Sequence, residues 1–144
     1  MDTGRYDALK IENQLCFPLY ACSRLVIKQY KPFLDELDLT YTQYIALMVL
    51  WEEHSVTVKT LGDRLFLDSG TLTPLLKKLE HKGLVTRTRS SADERNLIVA
   101  VTPQGMALRE EALRIPGELS KCLCLTGDEA RILYGLLYKL LEND

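Results

Sequence analysis

Apolar side chains recur at helical spacing through most of the chain and change to a strand-like pattern once, between Leu84 and Val101. Leu15, Leu19, Cys22, Val26 and Phe33 form one stripe and predict a helix over 11–33. Pro18 is tolerated in a first turn, so its regular part is expected to begin near Phe17. Thr40 with Gln43 has capping-box spacing and opens a second helix carrying Ile45, Leu47, Met48, Leu50 and Trp51. Val56–Val58 is a short β-branched segment, followed by a helix with Leu61, Leu65 and Phe66. Asp68, Ser69 and Thr71 are candidate N-caps for a fourth helix, with Leu72, Leu75, Leu76 and Leu79 as its inner face and Gly83 as its stop. Leu84–Arg89 and Leu97–Val101 then read as two strands around the polar stretch Ser90–Asn96.

The remainder is helical. Thr102-Pro103 reads as N-cap and first position of a helix through Met106, Leu108, Ala112 and Leu113 to Pro116. Thr126 and Glu129 form a second capping box ahead of Ile132, Leu133, Leu136, Leu137, Leu140 and Leu141. That last helix carries more apolar surface than a terminal helix of a monomer readily covers. Either it packs on its own core, or it and the first helix build a dimer interface, which is the favoured expectation.

Helix, turn, helix and two-stranded hairpin is the order of a winged helix-turn-helix. The expected fold is therefore mainly α with a small β wing, dimerised through its N- and C-terminal helices. One domain is expected over 1–144, with 40–102 as the winged helix-turn-helix and 1–39 and 103–144 as dimerisation helices. Ser69–His81 would be the recognition helix, presenting Ser69, Gly70, Thr71, Thr73, Lys77 and His81 outward. Small hydroxyls permit close approach to bases or phosphates, and the lysine neutralises phosphate charge.

Charge sharpens this reading. The 144 residues carry 18 Lys/Arg and 20 Asp/Glu, a formal charge of −2, which excludes a uniformly basic nucleic-acid coat. Between Lys59 and Arg95, however, eight basic residues face five acidic ones, a surplus of three, leaving −5 for the rest of the chain. A positive module on a negative molecule suits DNA, because each neutralised phosphate releases counterions. Arg87, Arg89 and Arg95 flank the hairpin turn, where an arginine is slim enough for a minor groove and Asp93 can orient Arg95. The alternative is a solvated basic face with an incidental ion pair. Apolar types at 47% and charged types at 26% describe a globular protein. No apolar run is long enough to span a bilayer and Met1–Lys10 is charged, so a cytoplasmic location is expected.

The four cysteines, at 16, 22, 122 and 124, do not form a disulfide framework, and His54 and His81 lie far from them, so neither a metal nor another cofactor is expected. Cys22 fits a buried apolar role on the Leu15/Leu19/Val26 stripe. Cys16 lies off that stripe, near the positive end of the helix dipole, with Tyr20 one turn on, a setting suited to a reactive sulfur. Tyr30 is fourteen residues further, about 21 Å along the helix, out of reach of Cys16 in the same chain. With antiparallel first helices in a two-fold dimer, Tyr30 and Tyr41 could approach the partner's Cys16; equally, these tyrosines could simply pack at an interface. Cys16 and Cys22 are about 9 Å apart on different helix faces and cannot pair, and Cys122 and Cys124 are too close in sequence to pair without strain.

Four runs carry a resemblance: Glu12-Asn13-Gln14-Leu15-Cys16-Phe17, Leu39-Thr40-Tyr41-Thr42-Gln43-Tyr44, Asp68-Ser69-Gly70-Thr71-Leu72-Thr73-Pro74-Leu75-Leu76-Lys77, and Asp93-Glu94-Arg95. From Ile11 to Leu141 the chain resembles the MarR family of dimeric winged-helix regulators, and within it the organic-hydroperoxide-sensing repressors of the OhrR type. The resemblance implies that Cys16 is the redox-sensing cysteine, and that Tyr30 and Tyr41 of the partner hold its thiolate, with Tyr20 beside it. It implies a homodimer bound to a palindromic operator while reduced and released when an organic hydroperoxide oxidises Cys16 to a sulfenic acid. Cys122 or Cys124, with Cys122 preferred, or a low-molecular-weight thiol would then resolve that acid as a disulfide. The family's wing arginine and aspartate carry over to Arg95 and Asp93; with the helix face and hairpin read above, the expected DNA-contacting set is Ser69, Thr71, Thr73, Lys77, Arg87, Arg89, Asp93 and Arg95. Two rival readings are a MarR-type regulator released by a small aromatic ligand and a thiol peroxidase. The second lacks a threonine and arginine beside the cysteine, so no enzyme is expected.

Overall fold

The computed structural model describes residues 4–89 and 96–143. They form seven α-helices and a three-stranded sheet, preceded by two short 3₁₀ turns: α1 Cys16–Glu36, α2 Tyr41–Glu53, β1 Ser55–Thr57, α3 Val58–Leu65, α4 Ser69–His81, β2 Val85–Arg89, β3 Leu97–Val101, α5 Pro103–Ala112, α6 Ile115–Cys122 and α7 Gly127–Glu142. Among the described residues, no helix is long and apolar enough to cross a membrane. The chain divides into two compact units, Tyr30–Leu113, and Met1–Gln29 with Arg114–Asp144.

The Tyr30–Leu113 unit is built around α2. Thr40 caps it as a full capping box, the Gln43 N–H reaching Thr40 Oγ1 at 3.3 Å and the Thr40 N–H reaching Gln43 Oε1 at 3.1 Å. Tyr44, Ala46, Leu47, Val49, Leu50 and Trp51 are all buried, the sign of a helix enclosed on most sides. Leu61 of α3 and Leu72, Leu75, Leu76 and Leu79 of α4 complete the core around it. Asp68, of the three candidates, is the N-cap of α4, its carboxylate accepting the Thr71 N–H at 2.8 Å. Gly83 leaves that helix at φ 78°, a conformation natural to glycine alone.

The hairpin gains a third strand. Val56 pairs with Val99 in antiparallel register, making the order β1-β3-β2 with β3 in the centre. Val58, expected in the β-branched segment, instead opens α3 behind the Thr57 cap. Thr102 caps α5 and also donates its hydroxyl to the Gly83 carbonyl at 2.7 Å, fixing α5 to the start of β2. Gly105 then lies so close that a Cβ there would collide with the Leu84 carbonyl oxygen.

Towards both ends of the chain the expected boundaries shift. Pro18 lies in the first turn of α1, as its missing N–H favours, but the helix already starts at Cys16. The tail helix stops at Ala112 rather than running to Pro116, which sits in the first turn of a separate α6. Cys22 is exposed, not buried, and Leu15 and Leu19 of its stripe are exposed too, so the stripe faces outward within one chain. The second capping box is present at Thr126 and Glu129, and no side chain of α7 is buried.

Candidate functional site

Cys16 is the first residue of a 21-residue helix, exposed, and preceded by Leu15, which offers no oxygen to cap the amides of the first turn. Tyr20, one turn on, is exposed, and the Arg24 guanidinium stands 5.7 Å from its ring centroid. Phe17, Tyr20, Ala21, Arg24, Leu25 and Lys28 line a shallow open groove along the same helix. At the other end of this unit Cys122 closes α6, its Sγ donating to the Glu118 carbonyl oxygen at 3.5 Å. Gln29 Nε2 donates to the Cys122 carbonyl oxygen at 3.4 Å. Cys124 follows in the connection to α7 with φ 53°, and both tail cysteines are exposed.

The second unit holds the tyrosines. Tyr30 and Tyr41 lie with ring centroids 4.9 Å apart, and Tyr44 joins them at 5.8 Å and 6.3 Å. Tyr44 in turn meets Trp51 edge-on at 6.2 Å. Burial pushes the Tyr30 hydroxyl up to about 12, helped by its two tyrosine neighbours, and burial raises Tyr41 and Tyr44 as well. At neutral pH all three are neutral phenols able to donate a hydrogen bond. The sequence reading assigns Tyr44 no role of its own; its i+3 spacing from Tyr41 is the signal that places both on one face.

On α4 the outward set Ser69, Gly70, Thr71, Thr73, Lys77 and His81 is exposed, as its spacing requires. The Thr73 hydroxyl is turned back onto its own helix, donating to the Ser69 carbonyl at 2.8 Å. Arg87 is engaged by Glu80 of α4: its backbone N–H, Nε and Nη2 donate to the Glu80 carboxylate at 3.1, 3.3 and 3.0 Å. That contact holds the Glu80 carboxyl below the usual carboxylate range and fastens β2 to α4. Arg89 ends β2 and is exposed, while Asp93 and Arg95 lie outside the described residues. A second cross-link joins α4 to the α1–α2 connection: Lys82 Nζ lies 3.2 Å from Gln43 Oε1 and also donates to the Asp38 carbonyl oxygen. The Glu80–Arg87 pairing carries no local sequence signal, and Gln43, legible as part of the Thr40 cap, has in Lys82 a second partner on another element.

The chain matches the family model of the transcriptional regulators SarA/Rot over residues 28–112. It is 51% identical over 140 residues to the organic hydroperoxide resistance transcriptional regulator of Bacillus subtilis (strain 168), covering 97% of this chain and 95% of the relative. Among solved structures it is similar to AbfR of Staphylococcus epidermidis. The reduced, DNA-bound form gives a TM-score of 0.79 at 37% identity over 96% of this chain and 97% of that one. The disulfide form gives 0.67 at 35%, over 98% and 99%. A mutant MarR from E. coli complexed with operator DNA gives 0.82 at 28%, over 95% and 98%. The chain belongs to the MarR family of winged-helix transcriptional regulators, on the OhrR-type branch of the organic hydroperoxide resistance regulator that it matches over nearly its whole length.

Proposed function

We propose that the chain is a redox-sensing repressor, working in the cytoplasm as a homodimer that holds a palindromic operator while Cys16 is reduced. The observation that carries this reading is the pair of half-buried phenols Tyr30 and Tyr41, with ring centroids 4.9 Å apart and the buried Tyr44 behind them. Such phenols are suited to donate to an anionic sulfur brought by the partner's Cys16, with Tyr20 beside that sulfur on its own helix. The dimer is supported by the exposed apolar faces of α1 and α7, for which a second copy is the natural cover.

In the chemical step the Cys16 sulfur attacks the terminal oxygen of an organic hydroperoxide. The O–O bond breaks, the alkoxide leaves and takes up a proton as an alcohol, and Cys16 becomes a sulfenic acid. A second thiol then displaces its hydroxyl as water and closes a disulfide. Cys122 of the partner is the preferred thiol, with Cys124 and a low-molecular-weight thiol as the other candidates. A sulfur–sulfur bond of about 2.05 Å cannot form without moving the start of α1 and parting it from the tyrosines. Since the dimer sets the spacing of the two copies of α4, that movement removes their match to successive half-sites.

On this reading Ser69, Thr71, Thr73 and Lys77 face the major groove. Arg89, with Asp93 and Arg95, belongs to the wing contact, and Arg87 acts there chiefly by fastening β2 to α4. The protein is consumed stoichiometrically and is not an enzyme. Mass spectrometry after one equivalent of cumene hydroperoxide tests the reading. Addition of one oxygen to the Cys16 peptide, then a disulfide involving Cys16, is expected. Oxidation confined to Cys22 or the tail cysteines contradicts it.

A further inference from the structure

The end of α4 and the first turn of α2 share one oxygen atom. Gln43 is the only buried polar side chain among the described residues, 3% exposed, and its Oε1 accepts the Thr40 N–H at 3.1 Å as part of the α2 cap. The same Oε1 lies 3.2 Å from the ammonium of Lys82, which caps the C-terminal end of α4. That ammonium also donates to the Asp38 backbone carbonyl and stands 3.6 Å from the Asp38 carboxylate. Asp38 is itself held at φ 55°, in a turn pinned by the Leu39 N–H on the Leu34 carbonyl at 3.0 Å, both side chains buried. Lys82 therefore rests on a turn that is hydrogen-bonded within itself and anchored by two buried leucines.

Tyr41 and Tyr44 flank Gln43 in that first turn of α2. The capping box ties that turn to Thr40, and the buried Gln43 amide ties it to Lys82. We infer that Lys82 is a positioning residue of the switch, transmitting movement of the tyrosine cluster through Gln43 Oε1 to the end of α4. This rests on the reading of Tyr41 as a tyrosine that holds the sensing sulfur. Lys82 belongs to the basic stretch Lys59–Arg95, so a lysine serving only to neutralise phosphate is the competing role. The two roles separate cleanly. Loss of a phosphate contact weakens the reduced and oxidised complexes alike, whereas loss of a coupling residue changes the ratio of their affinities.

The test measures operator affinity by fluorescence anisotropy for full-length protein, reduced and after oxidation by cumene hydroperoxide, with the extent of Cys16 oxidation read by mass spectrometry. Wild type is expected to lose affinity on oxidation by a large factor. In Lys82→Met, Cys16 should oxidise to the same extent while that factor shrinks by about tenfold. Lys82→Arg, which keeps a cation within reach of Gln43, should restore most of it. Gln43→Met leaves the Lys82 charge available to DNA and should narrow the factor as Lys82→Met does. A factor equal to wild type in both Lys82→Met and Gln43→Met overturns the inference. Wild-type protein that keeps its operator after Cys16 is oxidised overturns the sensor reading itself, and this inference falls with it.

Discussion

The ring of Tyr30 lies 4.9 Å from that of Tyr41 at an interplanar angle of 51°, joining the later part of α1 to the first residue of α2. The contact has a pH signature. Tyr30 is raised from 10.0 to about 12 in the folded protein. Above about pH 10 the unfolded chain therefore releases a proton that the folded chain retains, and stability falls until the pH passes the folded value. Below that window Tyr30 makes no pH-dependent contribution. Urea midpoints measured from about pH 8 to about pH 12 should fall in the upper half of that range, and less steeply in Tyr30→Phe. Identical alkaline limbs for the two proteins would contradict the buried placement of this hydroxyl.

Gly105 is held on two sides. A Cβ there would collide with the Leu84 carbonyl oxygen and reach the Val101 side chain at 2.9 Å, while the Gly105 carbonyl accepts the Trp51 indole N–H at 2.9 Å. Gly105→Ala should destabilise by about 1–3 kcal/mol through overpacking. Trp51→Phe should cost about 1–3 kcal/mol by removing the buried indole hydrogen bond that joins α2 to α5. Denaturant unfolding reads both; stability within experimental error of wild type would refute the close approach.

Where a boundary is set by local chemistry, it was legible in the sequence. Thr40 with Gln43, Asp68, Thr102 and Thr126 with Glu129 all cap the helices they announce. β1 was not legible as a strand of the sheet, because three residues have no period of their own and depend on the Val56–Val99 register. The break between α5 and α6 was missed because Leu113-Arg114 contains neither glycine nor proline. Cys22 was misplaced for a different reason: an amphipathic stripe marks a surface to be covered, and in α1 and α7 the chain itself leaves those stripes open. Of the candidate site, Cys16, Tyr30 and Tyr41 could be named from spacing and resemblance. Tyr44 against Tyr30, Glu80 against Arg87 and Gln43 against Lys82 gain their roles from partners on other elements.

Ile132, Leu136 and Leu140 repeat every four residues along α7 and are 65%, 56% and 57% exposed. Leu136→Glu should shift the protein from dimer to monomer in sedimentation velocity, with helix content retained, since α7 buries no side chain within its own unit. Operator binding should fall with it, because a monomer presents one copy of α4 to two half-sites. A variant that sediments as the wild-type dimer would show that this stripe is not the interface.

Glu80→Gln removes the carboxylate that holds Arg87 and fastens β2 to α4. Operator affinity should drop severalfold at fixed salt. The contact lowers the Glu80 pKa, so its stabilisation is present above the ordinary carboxylate range and is lost as pH falls through the folded value. The acid limb of stability should therefore be shallower in Glu80→Gln. Unchanged affinity together with an unchanged acid limb would argue that the pairing does not position the wing.

The central claim is most directly tested by operator release in Cys16→Ser. A hydroxyl replaces the thiol at the exposed first residue of α1, with no buried packing to disturb. This variant is expected to bind operator DNA in the absence of oxidant and to stay bound on addition of an organic hydroperoxide that releases the wild-type protein. Release of Cys16→Ser at the wild-type rate and hydroperoxide concentration would contradict it.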